Sequence, residues 1–343
     1  MRSAVFNIAD KVMIGVKTEK TFYSRVIKRL MAEYGFFEAR GDFQEADTLV
    51  TIGPIKSLSN NYVRLDGKYF VGDYWIQAFD SYKIAKWTVY IEGLGLNNIK
   101  MRIEPNFFAC DLIPPALVTP LIGFILCYNG LSLVHAAGIS NKDKAILLVG
   151  FGGSGKTSLV LKALESGLKL LGDDHVILDK GRVLPFPTAI SLFKYNVPKG
   201  SVWAKRWKME LELKSWIKKL TLGYIYPVTK AKISDYDWIA EDSKLEKVIL
   251  IEPWVGENCI IQEVEKNELI DSWIQNILID SIYFYKYLCA FSYVNQIFSD
   301  YLNDFKETLS ANLTGCKEFV KVIFPQNNIK RLFDTIYGLL KND

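Results

Sequence analysis

Eight consecutive residues carry the sharpest chemistry in the chain: Gly150-Phe-Gly-Gly-Ser-Gly-Lys-Thr157 satisfies G-x-x-x-x-G-K-[ST]. A nucleoside triphosphate is a dense cluster of negative charge, and successive backbone N–H groups can wrap it only where side chains stay clear. Gly150, Gly152, Gly153 and Gly155 leave that room and permit positive φ. Lys156 can reach the β- and γ-phosphoryl oxygens, and the Thr157 hydroxyl can ligate Mg²⁺. The binding segment expected from this pattern is Gly150–Ser158, Ser154 included, and its expected ligands are ATP and Mg²⁺.

Phosphoryl transfer also needs a carboxylate beside the metal and one that orients or deprotonates the acceptor. Asp173 and Asp174 stand directly after an apolar run, Leu168–Leu171. Neighbours in an extended segment point to opposite sides, so the two acids are expected to do different jobs. The chain has two histidines, His135 and His175, and both flank the glycine-rich loop in sequence. His135, read as part of a strand Ser132–Ile139, can orient a catalytic Asp or relay its proton, or serve as a hydrogen-bonded core imidazole. His175 is read as structural. Two histidines argue against a multi-histidine metal site.

The loop must be held by the elements around it. Ala145–Val149 reads as a buried strand feeding Gly150, and a helix is expected from Gly155 to about Ser166, with Leu159, Val160, Ala163 and Leu164 at core spacing and Gly167 as its stop. The apolar stretch Leu112–Tyr128, interrupted by Pro114, Pro115 and Pro120, reads as a buried helix over 113–127, too short for a membrane span. Earlier, Phe22–Phe37 has helical spacing, and Ala4–Ile8, Val12–Val16, Thr48–Ile52, Tyr69–Val71, Trp87–Glu92 and Ile99–Ile103 read as strands. Lys247–Glu252 and Ile260–Val264 add two more, and from Glu265 onward the pattern is helical. The expected division is an N-terminal mixed α/β domain over 1–110, a P-loop kinase-like domain over 111–264 and a helical segment over 265–343.

The stretch Leu133–Leu178 resembles the catalytic domain of the HPr kinase/phosphorylase family and its looser HPr-kinase-like relatives. It carries a strand with His followed by two small residues, "LVHAAGIS", then a turn and "KAILLVGFGGSGKTSLVLKALESGLKLLGDDHVIL". The "GDDH" string is also similar to phosphoenolpyruvate carboxykinase, a fold relative. The resemblance implies an α/β P-loop domain of that kind, phosphate binding by Gly150–Thr157, an acceptor base at Asp173, a metal-side carboxylate at Asp174 and a partner for the aspartate at His135. HPr kinases proper carry a second Gly-rich signature downstream of the acids, which this sequence lacks after Asp174. The looser relatives are therefore the better match. The similar "EGLGLNNI" at 92–99 lies upstream and reads as a β-turn.

Composition bounds the remaining choices. The chain has 343 residues, half of them hydrophobic and 23% charged, which excludes disorder as its main state. A net charge of +4 is too small to point to nucleic acid. Five scattered cysteines without a C-x-x-C spacing suggest neither a disulfide framework nor a zinc site, and Met1–Val12 lacks the apolar run of a signal peptide, so a cytoplasmic protein is expected. Self-association as a homo-oligomer stays open. Three further segments have plainer readings beside their functional ones. Val248–Glu252 is a strand ending in an acid, Trp203–Leu220 a helix mixing Lys and Trp, and Asp235–Asp242 an acidic loop.

The expected activity is that of an ATP-dependent kinase, transferring the γ-phosphoryl of ATP to the hydroxyl of a peptide or protein serine or of a small molecule. The alternatives are a P-loop ATPase, a nucleotide-binding regulatory module without transfer, and a carboxykinase-like enzyme, the last disfavoured for want of further histidine and lysine ligands.

Overall fold

The first two strands, β1 (Arg2–Ile8) and β2 (Val12–Thr18), form a hairpin in which Ala9 and Asp10 both take positive φ near 53°. Such a turn matches the right-handed twist of the strands it joins. In the computed structural model, residues 2–341 are described apart from 56–60, 96–97, 199, 222–228, 232–236, 296 and 326–328. Eight α-helices lie among the described residues: α1 (Ser24–Tyr34), α2 (Thr119–Tyr128), α3 (Lys156–Glu165), α4 (Val202–Leu220), α5 (Lys266–Asp280), α6 (Ile282–Phe291), α7 (Ile297–Asn312) and α8 (Ile329–Lys341). None is long and apolar enough to cross a membrane. The chain is mixed α/β and divides into two compact units, one made of 1–130 with 278–308 and the other of 131–277 with 309–343.

The first unit is built on a nine-stranded sheet. Its later strands are β3 (Glu38–Ala39), β4 (Thr48–Ile52), β5 (Val63–Leu65), β6 (Tyr69–Val71), β7 (Trp75–Tyr82), β8 (Ala85–Glu92) and β9 (Ile99–Pro105). The order is β3-β1-β2-β4-β9-β8-β7-β6-β5, with β2, β4 and β9 parallel at the centre. Strand β8 shows the period of a half-buried strand: Ala85, Trp87, Val89 and Ile91 are buried and alternate with more exposed residues. The expected 22–37 helix is shorter than its pattern, because 3₁₀ turns at Thr21–Tyr23 and Gly35–Phe37 bracket α1. Val26, Ile27, Leu30 and Tyr34 form its buried face. The indole of Trp87 donates to the Tyr287 hydroxyl of α6 at 2.9 Å, a polar tie within an aromatic layer.

The second unit carries the segment of interest. Its strands are β10 (Ser132–Val134), β11 (Ala137–Asn141), β12 (Lys144–Val149), β13 (Lys169–Gly172), β14 (Val176–Asp179), β15 (Arg182–Leu184), β16 (Ile190–Leu192), β17 (Thr229–Ala231), β18 (Ser243–Trp254), β19 (Ile260–Glu263) and β20 (Glu318–Pro325). Parallel strands β12, β18 and β20 lie side by side, and β11 runs antiparallel between β12 and β13. Apolar residues of β12, β18 and β20, among them Leu148, Ile249, Ile251, Val322 and Phe324, form one buried cluster with Leu159, Val160 and Leu164 of α3 and Leu332 and Ile336 of α8. Strands buried on both faces read as continuous apolar runs, as in "AILLV" and "VILI".

Three expectations change here. The 113–127 helix begins with a π-turn over Pro114–Val118 and settles into α2 only at Thr119; it belongs with the first unit, where Phe124 packs on Phe284 and Tyr301. Residues 265–343 are not one helical segment. Their middle part, 278–308, joins the first unit, while β20 inserts beside β18 in the second, pairing Lys247 with Glu318 through Trp254 with Pro325. The strand expected over Ser132–Ile139 is broken at His135-Ala136, because β10 pairs with β14 whereas β11 pairs with β12 and β13.

Candidate functional site

The loop after β12 has the geometry that its glycines permit. Gly153 and Gly155 take φ of +84° and +91°, and Gly155 stands immediately before the first residue of α3. The N–H of Ser154 closes a turn on the Phe151 carbonyl at 3.1 Å. The first N–H groups of any α-helix lack intrahelical acceptors, so the start of α3 offers unsatisfied donors and the positive end of its dipole. Lys156 is only 7% exposed, and its ammonium folds back onto the Gly150 carbonyl and, at 3.3 Å, the Phe151 carbonyl. The ammonium is thus held at the base of the loop by carbonyls of the loop itself.

The acids stand opposite the start of the helix. Strand β13 ends at Gly172, where a Cβ would lie 1.9 Å from the His175 carbonyl, so no other residue allows so tight a turn. That turn turns Asp173 inward, where it is buried, while Asp174 is only partly so. The Thr157 hydroxyl donates to Asp173 Oδ2 at 3.2 Å, which ties the first turn of α3 to the end of β13. Burial pushes Asp173 well above the ordinary carboxylate range and Asp174 pushes it further; the Thr157 hydrogen bond, Lys156 and Lys230 pull the other way. Asp173 Oδ1 and Ser154 Oγ are buried and have no hydrogen-bond partner among the described residues.

His135 lies at the break between β10 and β11. Its backbone carbonyl accepts the indole N–H of Trp273 at 3.0 Å, and its ring meets that of His175 edge-on at 5.3 Å. Burial, Lys156 and His175 all push the His135 imidazole well below its ordinary pKa, so it is neutral near pH 7. His175 packs edge-on against Phe186 at 6.2 Å and is likewise pushed down, chiefly by burial.

His135, Gly152, Gly153, Gly155, Lys156, Thr157, Ser158 and Asp174 line a single cleft of about 320 Å³. Asp173 is not among the lining residues but accepts from Thr157, which is, and the Gly150 carbonyl accepts from Lys156; Ser154 is buried at the loop's base, and His175 reaches the cleft only through its ring contact with His135. An anion there would meet one ammonium and the amides that open α3, and a hard cation would find the oxygens of Thr157 and Asp173. Among the described residues no group of three or more His, Cys, Asp or Glu side chains could hold a metal alone. Mg²⁺ needs none, because with nucleotides it is held by one or two carboxylates together with phosphate oxygens. The unsatisfied Asp173 Oδ1 fits that use.

The opposite wall is absent from the sequence reading. Ser191 of strand β16 and Phe193, Tyr195 and Asn196 just after it line the cleft together with the loop, and the Ser158 hydroxyl donates to the Asn196 carbonyl at 2.7 Å. Lys230 of β17 acts on Asp173, and Trp273 of α5 buttresses His135. No sequence motif marks these residues. A stacked "F-x-Y-N" after a short strand is the one signal that could have drawn attention.

The other candidates resolve plainly. Glu252 pairs with Lys321 at 3.0 Å, as an acid at a strand end does. On α4, Trp203 is in the core and Trp207 partly buried, whereas Trp216 is 59% exposed. Asp242 pairs with Arg182 at 2.5 Å, while Asp235 lies outside the described residues, as do 96 and 97 of the 92–99 string. All five cysteines are free. No family model matches the sequence, and no curated protein matches it significantly.

Proposed function

We propose that this chain is an ATP-dependent kinase that transfers the γ-phosphoryl group of ATP to a hydroxyl acceptor. The observation that carries the reading is the convergence on one cleft of a helix start, a buried lysine and Asp174, with Thr157 of that cleft hydrogen-bonded to Asp173 beneath it. Phosphoryl transfer asks the protein mainly for positioning and charge stabilisation, and these residues supply both.

In this reading the amides of the Gly150–Ser158 loop hold the phosphate chain, and Lys156 exchanges its two loop carbonyls for phosphate oxygens. Thr157 and Asp173 are the residues that would hold Mg²⁺, which when bound neutralises charge on the β- and γ-phosphoryl oxygens. The position of Asp173 beneath Thr157 favours this role over the one expected from the resemblance, where it was the base. Asp174, which lines the cleft, accepts the proton of the acceptor hydroxyl. The acceptor oxygen forms its bond to the γ-phosphorus as the bond from that phosphorus to the β,γ-bridging oxygen breaks, leaving ADP. The neutral His135 imidazole, whose backbone carbonyl is held by Trp273, lines the same cleft and offers its ring to the acceptor.

The test is incubation with γ-labelled ATP, Mg²⁺ and a cell extract, followed by identification of the labelled species. Label on a serine-bearing peptide, a protein or a small alcohol supports the kinase. Release of free phosphate without a labelled product replaces it with an ATPase.

A further inference from the structure

We propose that the face of Tyr195, backed by Phe193, is the platform on which the nucleobase of the bound nucleotide stacks. The inference rests on the nucleotide-binding reading above and names the part of the cleft that reading leaves unassigned.

The two rings are parallel to within 7°, with centroids 5.2 Å apart, and both line the cleft that contains Lys156 and Asp174. Tyr195 is 67% exposed. Large exposed aromatic rings usually belong to chain that can fold away, yet this one sits on a firmly built turn. The Asn196 side chain is buried beneath it, accepting from the Phe193 N–H at 2.7 Å and donating to the Ser191 carbonyl at 2.9 Å. The Ser158 hydroxyl fastens the same turn to the first turn of α3. A solvent-facing ring on a fastened turn, stacked against a half-buried second ring, is what a flat ligand needs, since little backbone freedom remains to be lost on stacking.

The direction of the nucleotide follows from charge. The γ end must lie against Lys156, Thr157 and the acids, because those groups carry the cation and the metal oxygens. Ser158 lies one residue further into α3, and the wall it touches is the 191–196 turn. The nucleoside leaves the loop toward that wall. Stacking of this kind accepts any purine, because every base presents a π face. The platform therefore confers affinity for a nucleotide over bare polyphosphate, and not a choice between adenine and guanine.

Calorimetric titration of the full chain, its Tyr195→Ala variant and its Tyr195→Phe variant with Mg·ATP and with Mg·tripolyphosphate tests this directly. The expected result is that Tyr195→Ala binds Mg·ATP about tenfold more weakly while its affinity for tripolyphosphate stays within about twofold, and that Tyr195→Phe behaves as wild type in both. Unchanged ATP affinity in Tyr195→Ala overturns the platform. So does an equal loss for both ligands, which would mean that the substitution damages the loop. A wild-type chain that binds tripolyphosphate as tightly as ATP also overturns the platform while leaving the loop assignment standing. A wild-type chain that binds neither ligand overturns both.

Discussion

Thr157 and Asp173 are sixteen positions apart in sequence, and a hydrogen bond of 3.2 Å joins the hydroxyl of one to the carboxylate of the other. That bond places an acid from the end of one strand under the first turn of the helix that closes the glycine-rich loop. It also separates the two neighbouring acids in space, one held beneath the helix and the other lining the cleft.

The separation predicts two different phenotypes. Asp174→Asn should leave nucleotide affinity near wild type and lower transfer by about 10²–10⁴-fold, the usual worth of a positioned base. Asp173→Asn should raise the Mg²⁺ concentration needed for half-maximal transfer. Magnesium titrations of label transfer in both variants check this. Equal Mg²⁺ requirements in the two would remove the distinction.

A second prediction concerns stability against pH in the ligand-free protein. The raised pKa of Asp173 means that the folded chain holds this proton more tightly than the unfolded chain does. The associated stability is fully present below the ordinary carboxylate value and is lost as pH climbs through the raised one. Asp173→Asn keeps an acceptor for Thr157 but cannot ionise. Its Tm should match wild type near about pH 4 and exceed it by several degrees near about pH 9, on the scale of about 2–4 °C per kcal/mol for a unit of this size. Melting curves across that range, without nucleotide or Mg²⁺, decide the point.

On the acid side the histidines act in the opposite sense. His135 and His175 are held below their ordinary value, so the stability they confer is present above about pH 6.5 and lost as pH falls toward their folded values. The wild-type Tm should therefore drop between about pH 7 and about pH 5, and His175→Phe should lessen the drop. Melting curves in which that variant falls as steeply as wild type would contradict it.

The turn at Gly172 offers a structural test. A Cβ there would stand 1.9 Å from the His175 carbonyl, so Gly172→Ala must displace backbone rather than a side chain. A loss of about 1–3 kcal/mol or more is expected, as for other overpacked sites. Chemical denaturation measures it; a variant as stable as wild type would mean that the turn is laxer than described.

These residues also show what the sequence made legible. The loop, its feeding strand, the helix after it and the acid pair all follow local rules, in which glycine leaves room, apolar spacing reports burial and Asp-Asp ends a strand, and the fold places them as those rules require. The failures are non-local. Whether His135 lies within a strand depends on which partners β10 and β11 choose, and local pattern is silent on pairing. The alternating "FVKVIF" of β20 is flanked by helical patterns, and only the edge of β18 gives it a place. Tyr195 reaches the cleft, and Trp273 reaches the His135 carbonyl behind it, through tertiary packing that no spacing announces.

The central claim is that the start of α3 and Lys156 hold a polyphosphate chain. Calorimetric titration of Mg·ATP into the wild-type chain and into Lys156→Ala tests it most directly. Saturable one-site binding that weakens about 100-fold or more in the variant is the predicted result, the scale of a buried charge-assisted contact. Equal affinity in both proteins, or no binding to the wild type, would contradict it.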